Sequence, residues 1–195
     1  MSPDTQTGAL RTPDPALVAE IAAQSRSRHA HHEAGHAVAA VYRGSELVRV
    51  FLGTADWSSL DMTADTPGGT VHVSRREHQP FITFAGPWAQ AKWSIENDPD
   101  YADSNMDSAL DDAWQENSDG DTARYQGRID ELESVAAQLG FDSVGAAWER
   151  QWSDELEDLW PAVCDVADLL LDGITVTHDL VKMAIDRCTA TEAAL

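Results

Sequence analysis

Residues 28–40, RHAHHEAGHAVAA, hold the side chains best suited to chemistry. Four of the chain's seven histidines fall here, three of them, His31, His32 and His36, within six residues, and His32-Glu33-Ala34-Gly35-His36 spells H-E-x-x-H. Residues four apart on an α-helix differ by only ~40° in direction and by one turn in height. His32 and His36 therefore share a face, and their imidazoles can reach one cation. A zinc ion with three protein ligands keeps one coordination position open for water. Binding lowers the pKa of that water from ~16 toward ~7, and a glutamate on the same turn as the first ligand can take the proton as a carbonyl is attacked. The motif thus points to zinc, with His32 and His36 as ligands and Glu33 as general base. A purely structural zinc site has no need of Glu33; a hydrolase does.

The setting of the motif supports this reading over an exposed helix that happens to carry histidines. The flanking residues are an Ala/Val run expected to be buried, and polar groups on a buried helix need partners, which a metal supplies. Gly35 costs ~1 kcal/mol of helix propensity relative to alanine, so its presence indicates close packing. His31 is expected beside the site without being a ligand. His29, His72, His78 and His178 are expected to be structural or exposed, and the seven tryptophans to be core residues.

The elements that must position these groups follow from periodicity. Residues 1–14 are polar and Pro/Thr-rich and are expected to form a disordered arm. PALVAEIAAQ has Leu17, Val18, Ile21 and Ala22 at helical spacing, with Pro15 tolerable in a first turn. The motif helix should run from about Ser27 to Tyr42 and stop at Gly44. LVRVFLG (47–53) and GTVHVS (69–74) are short and β-branched and read as strands. The polar loop between them ends in a Pro-Gly turn signal.

From Pro80 onward the pattern is helical. The segment PFITFAGPWAQAKWSIEN should be interrupted near Gly86-Pro87. NMDSALDDAWQEN reads as a short helix. DTARYQGRIDELESVAAQLG reads as a longer one, with Tyr125, Ile129, Leu132, Val135 and Ala136 on one face and Gly140 as the stop. AAWERQWSDELEDLW, PAVCDVADLLLDG and THDLVKMAIDRC follow, the last with Thr177 as N-cap. The expected class is mainly α (α+β) with a two- or three-stranded sheet near the front. One domain should span residues 15–190, with a tail over 191–195.

Composition bounds the partners. The chain has 195 residues, 43% apolar, enough for one domain with a real core. Its 34 acids against 13 bases give a net charge of −21, which argues against nucleic-acid or anionic-membrane binding. Cys164 and Cys188 form no C-x-x-C and are expected to be reduced core thiols. No apolar run approaches the ~18 residues of a membrane span. The N-terminus lacks the apolar stretch of a secretory signal, so the expected location is cytoplasmic.

HHEAGHAVAA resembles the zinc-site helix of the FtsH-type ATP-dependent zinc metalloproteases, whose signature reads His-Glu-Ala-Gly-His-Ala-Val; residues His32 to Val38 match it outright. More weakly, LVRVFLG…GGTVHVS resembles the family's strand pair and FAGPWAQAKW its Gly-Gly-Arg-Ala-Ala-Glu-Glu helix. LWPAVCDVADLLLDGITVTHDLVKMAI is similar to its closing helices. The likeness covers roughly residues 26–186. It implies a helical zincin-like peptidase domain, and zinc-dependent hydrolysis of peptide bonds in unfolded polypeptides or peptides. The chain departs from the family in two ways. It has no G-x-x-x-x-G-K-[ST], hence no P-loop ATPase module, so it resembles the peptidase domain standing alone. Gln90 and Pro87 also stand where the family has glutamate and arginine.

The resemblance implies a third ligand as well, an aspartate at the start of a later helix, after a Ser/Gly/Asn turn. The stretch from Glu96 to Asp121 holds ten carboxylates and no base. Asp121 opens a helix and precedes Tyr125, Ile129 and Leu132 at +4, +8 and +11, which puts its carboxylate on the buried face. Asp119 and Asp107 are the alternatives, ranked in that order. DSNMD imitates the start of a calcium loop, but Ser108 replaces the required glycine and Trp114 the bidentate glutamate. Two further readings stand beside the metallopeptidase. One is a non-catalytic acidic binding or scaffold protein with a structural zinc. The other is a hydrolase-derived scaffold that works with a separate ATPase or as a homo-oligomer.

Overall fold

The computed structural model describes residues 14–53, 68–141 and 145–192. They form a mainly helical protein with one two-stranded antiparallel sheet. The expected arm over residues 1–13, the polar loop and Trp57 over 54–67, and residues 193–195 lie outside the described residues. No helix among the described residues is long and apolar enough to cross a membrane.

Helix α1 spans Pro15–Tyr42, and every residue from Ala30 to Val41 is buried. The two helices expected over this stretch are one. Nothing between Gln24 and His29 breaks a helix, and Arg26 ties this turn to the rest of the fold by donating from Nη2 to the Leu171 carbonyl at 3.0 Å. Asp14 caps the start, accepting from the Ala16 amide at 2.9 Å. At the other end Gly44 adopts φ +71°, and the Gly44 and Ser45 amides return to the carbonyls of Val41 and Ala40 at 2.9 Å each. That is a Schellman ending, which only glycine enters without strain.

The chain then enters β1 (Glu46–Leu52), paired antiparallel with β2 (Gly68–Val73). A bulge between Leu47 and Arg49 absorbs one extra residue of β1, so Leu47 pairs with His72 and Val50 with Thr70. Leu47 and Val50, three residues apart, thereby reach the same buried face of the sheet. Gly68, Thr70 and His72, two apart on β2, share that face too.

Helix α2 (Gln79–Asn97) runs straight through Gly86-Pro87, against the expected interruption. An interior proline costs ~3 kcal/mol. The helix buries Phe81, Ile82, Phe84 and Trp88 almost completely, and each such side chain is worth roughly 1.5–3 kcal/mol, so packing outweighs the lost bond. The same holds for α5 (Gly145–Leu171), one helix through Pro161 in place of the expected two. Between them lie α3 (Met106–Glu116), a π-helical turn over Ser118–Thr122, and α4 (Ala123–Gln138). On α4 Tyr125 and Ala136 are buried, but Val135 is 54% exposed, because it lies off the stripe that Tyr125, Ile129, Leu132 and Ala136 define. Helix α6 (His178–Glu192) begins at Thr177, whose hydroxyl accepts from the Leu180 amide at 3.4 Å, and it runs into the expected tail.

The core joins α1 to α2, α5 and α6, with Val38, Phe81, Phe84, Trp88, Leu156, Val163, Val166 and Val181 fully enclosed. Cys164 and Cys188 form no disulfide and are half-buried at the margin of this core, not inside it. Burial, and then nearby carboxylates, push the Cys164 thiol up to about 11.

Candidate metal centre

The middle of α1 places His32 and His36 side by side. Their Nε2 atoms are 3.1 Å apart and their rings cross at 81°. Asp121, in the π-turn ahead of α4, completes the group. Its Oδ2 lies 3.0 Å from His32 Nε2 and 2.9 Å from His36 Nε2. All three ligand-type atoms fall within 4.8 Å of one another, and all three side chains are largely shielded from solvent. Of the aspartates weighed from sequence, Asp121 is thus the one beside the histidines. Asp107 is exposed in the first turn of α3, and the side chain of Asp119 lies outside the described residues.

The partners of the other ring nitrogens show what the Nε2 atoms present. His36 Nδ1 is 2.7 Å from the Ile82 carbonyl oxygen, which can only accept, so Nδ1 carries the proton. His32 Nδ1 is 2.9 Å from Gln90 Oε1. Gln90 Nε2 donates to Glu116 Oε2 at 2.7 Å, which fixes the amide with its oxygen toward His32, so Nδ1 is the donor there too. Both neutral imidazoles then aim lone pairs from Nε2 at a carboxylate oxygen. Three acceptors crowded at about 3 Å repel one another unless positive charge stands among them. Zinc bonds of ~2.0–2.1 Å put two tetrahedral donors roughly 3.3 Å apart, so the donor set fits the ion with a few tenths of an ångström of opening. Without an ion, a proton serves. Burial pushes the His36 imidazole down, but the adjoining Asp121 charge outweighs it and raises the group to about 9. Burial would raise the Asp121 carboxyl, and the His36 charge and two imidazole hydrogen bonds hold it far below the usual carboxylate range. Both shifts describe one contact, and a cation must displace the shared proton.

Three glycines make the close approaches possible. A Cβ on Gly35 would lie 2.4 Å from the Ala85 carbonyl oxygen, so α1 and α2 touch here backbone to backbone, as its place in the motif predicts. A Cβ on Gly86 would lie 2.2 Å from His36 Nε2. The Gly86-Pro87 pair, read from sequence as a helix break, is where α2 makes room for a candidate ligand. A Cβ on Gly68 would lie 2.8 Å from Glu33 Cγ.

Glu33 is 9% exposed and held by the sheet. Thr70 Oγ1 is 2.7 Å from Glu33 Oε2 and 3.0 Å from Glu33's own carbonyl oxygen, so its single proton goes to the nearer carboxylate. Among the described residues no donor meets Oε1. His31 faces away, its ring between Trp93 and Trp160 with centroids at 5.9 and 5.6 Å and Nδ1 against the Ser27 carbonyl, and is no ligand. The group opens into a cleft of about 1080 Å³ between the sheet, α2 and α4, which His29 and His72 also line. Sequence reasoning did not place Thr70, Gly68 or Gly86 in the site and noted Gln90 only as a departure from the family pattern; the glycines read as turn and helix-break signals.

No family model, no curated protein and no solved structure matches the chain.

Proposed function

We propose that the chain is a zinc-dependent metallopeptidase with a zincin-like site, hydrolysing peptide bonds of unfolded polypeptides. His32, His36 and Asp121 hold the metal and Glu33 is the general base. The observation that carries this reading is the convergence of two imidazole Nε2 atoms and one carboxylate oxygen at the head of an open cleft. The match of His32 to Val38 with the FtsH-type signature supports it from an independent direction.

A zinc ion at this site supplies Lewis acidity that activates water and polarises a carbonyl. The protein's own groups do the rest. Glu33 has Oε2 engaged by Thr70 and no donor on Oε1 among the described residues, so Oε1 is the atom that takes a proton from water and passes it to the leaving amine. Gln90 and the Ile82 carbonyl hold the two imidazoles in the tautomer and orientation that ligation needs. The cleft admits an extended chain, whereas a site closed on all sides would suit a structural ion.

The test has two arms. Purified protein should hold about one zinc per chain by elemental analysis, and His32→Ala or His36→Ala should lose it. Glu33→Gln should keep both zinc and fold while casein hydrolysis, measured without ATP, falls by ~10²–10⁴-fold. Normal zinc in both proteins with no cleavage by the wild type would replace this reading with the scaffold one.

A further inference from the structure

Among the described residues of the cleft wall, His72 has a buried side-chain nitrogen with no partner. It stands two residues beyond Thr70 on the same face of β2, paired with Leu47, and lines the same cleft as His32, Glu33 and His36. His36 and Arg124 are the charged neighbours that act on it. Its Nδ1 is buried and has no hydrogen-bond partner, whereas Nε2 is not a buried orphan and meets no hydrogen-bond partner among the described residues. An orphaned buried N–H is rare in folded proteins, and an unpaired buried acceptor is better tolerated. The proton therefore sits on Nε2, which opens to the cleft as a free donor. Burial first, and then His36 and Arg124, also lower the group.

The geometry points to His72 as a second catalytic residue: its Nε2–H donates to the scissile carbonyl oxygen as that oxygen gains negative charge. This rests on the peptidase reading above. Such a donor transfers no proton. It strengthens one hydrogen bond as charge develops, in the same cleft as the metal ligands and Glu33, which acts on the water. Removing one donor of this kind typically costs on the order of 10²–10³-fold in turnover.

The experiment compares zinc-loaded wild type, Glu33→Gln, His72→Phe and His72→Gln on unfolded casein, and records the imidazole nitrogen resonances of ¹⁵N-labelled wild type. His72→Phe keeps a ring and loses the donor. Its kcat and kcat/KM should fall together by roughly 10²-fold with zinc content unchanged, as expected for a contact made only in the transition state. His72→Gln restores an N–H near the same place and should recover part of the loss. The resonances should report Nε2–H. Wild-type kcat in His72→Phe, with Glu33→Gln inactive, would overturn the role of His72 and leave the peptidase reading standing. An Nδ1–H tautomer would overturn it whatever the activity. Loss of zinc or fold in both His72 variants would make the residue structural. A wild type no more active than Glu33→Gln would remove the peptidase reading, and the inference with it.

Discussion

Gly86→Ala adds one methyl group to α2 and alters none of the proposed ligands, yet it should disable the metal centre. The new Cβ would stand 2.2 Å from His36 Nε2, 2.4 Å from Cε1 and 2.7 Å from Cδ2. Ordinary contact begins at 3.4 Å, so closing the gap from 2.2 Å needs a retreat of about 1.2 Å. Ligand distances tolerate only ~0.2 Å, and the ring cannot retreat while Nδ1 keeps its 2.7 Å bond to Ile82. The metal-free fold should suffer much less. Overpacking costs about 1–3 kcal/mol, and replacing a helical glycine by alanine returns about 1 kcal/mol, so the net loss should stay below about 2 kcal/mol. Urea unfolding in the presence of a chelator measures that term, and competition with a chromophoric chelator measures zinc affinity. Disturbing a ligand's support alone costs ~10–100-fold in affinity, and a displaced ligand should exceed that range. A Gly86→Ala protein that binds zinc like the wild type would refute the geometry of His36. So would one that fails to fold, since then the ring was not the part that yields.

Gln90→Leu should leave the His32 Nδ1–H buried without an acceptor, at about 1–3 kcal/mol of stability, and should weaken zinc by ~10–100-fold; unchanged affinity in the chelator competition would show that the amide does not orient His32. The half-buried His29 imidazole, 2.8 Å from the Ser25 carbonyl, is lowered by desolvation from 6.5 to about 4. The unfolded chain therefore gains its proton first on acidification, and stability present above pH 6.5 is lost as the pH falls toward 4. In chelator-treated protein His29→Gln should flatten this acid limb by up to about 3 kcal/mol, and parallel urea-derived curves for the two proteins would rule the effect out.

The parts of the site set by local spacing were legible in the sequence. Four residues of helix put His32 and His36 on one face, and the register of Asp121 with Tyr125 turned that carboxylate inward toward them. The burial of α1 followed from its alanines and valines, and its end from Gly44. Breaks assigned from local propensity failed where tertiary packing was strong. Pro87 and Pro161 sit inside continuous helices because the aromatic and aliphatic side chains around them outweigh a lost backbone bond. The supporting groups were out of reach for a different reason. Gln90 lies 58 residues from His32 and Thr70 lies 37 from Glu33, and neither residue type is unusual where it stands. Only the docking of α2 and β2 on α1 gives these side chains their roles.

That docking also accounts for the amide at position 90, where the family resemblance implies a glutamate. A carboxylate there would add a second negative charge beside His32, in a site that already holds Asp121 and Glu33 and in a chain of net charge −21. With a divalent cation bound, Asp121 and Glu33 alone balance the charge of the centre. Gln90 keeps the geometry of a hydrogen-bond acceptor without the charge. Its Oε1 receives His32 Nδ1–H, and its Nε2 hands the demand for an acceptor outward to Glu116. Glu116 is 41% exposed and meets Arg28 Nη1 at 3.2 Å, so its negative charge is neutralised near solvent, where screening makes it inexpensive. The relay starts and ends on α1, through Arg28 and His32, and crosses α2 and α3 between them. The orientation of His32 is therefore tied to the mutual packing of three helices, with the Glu116 carboxylate one hydrogen bond beyond Gln90.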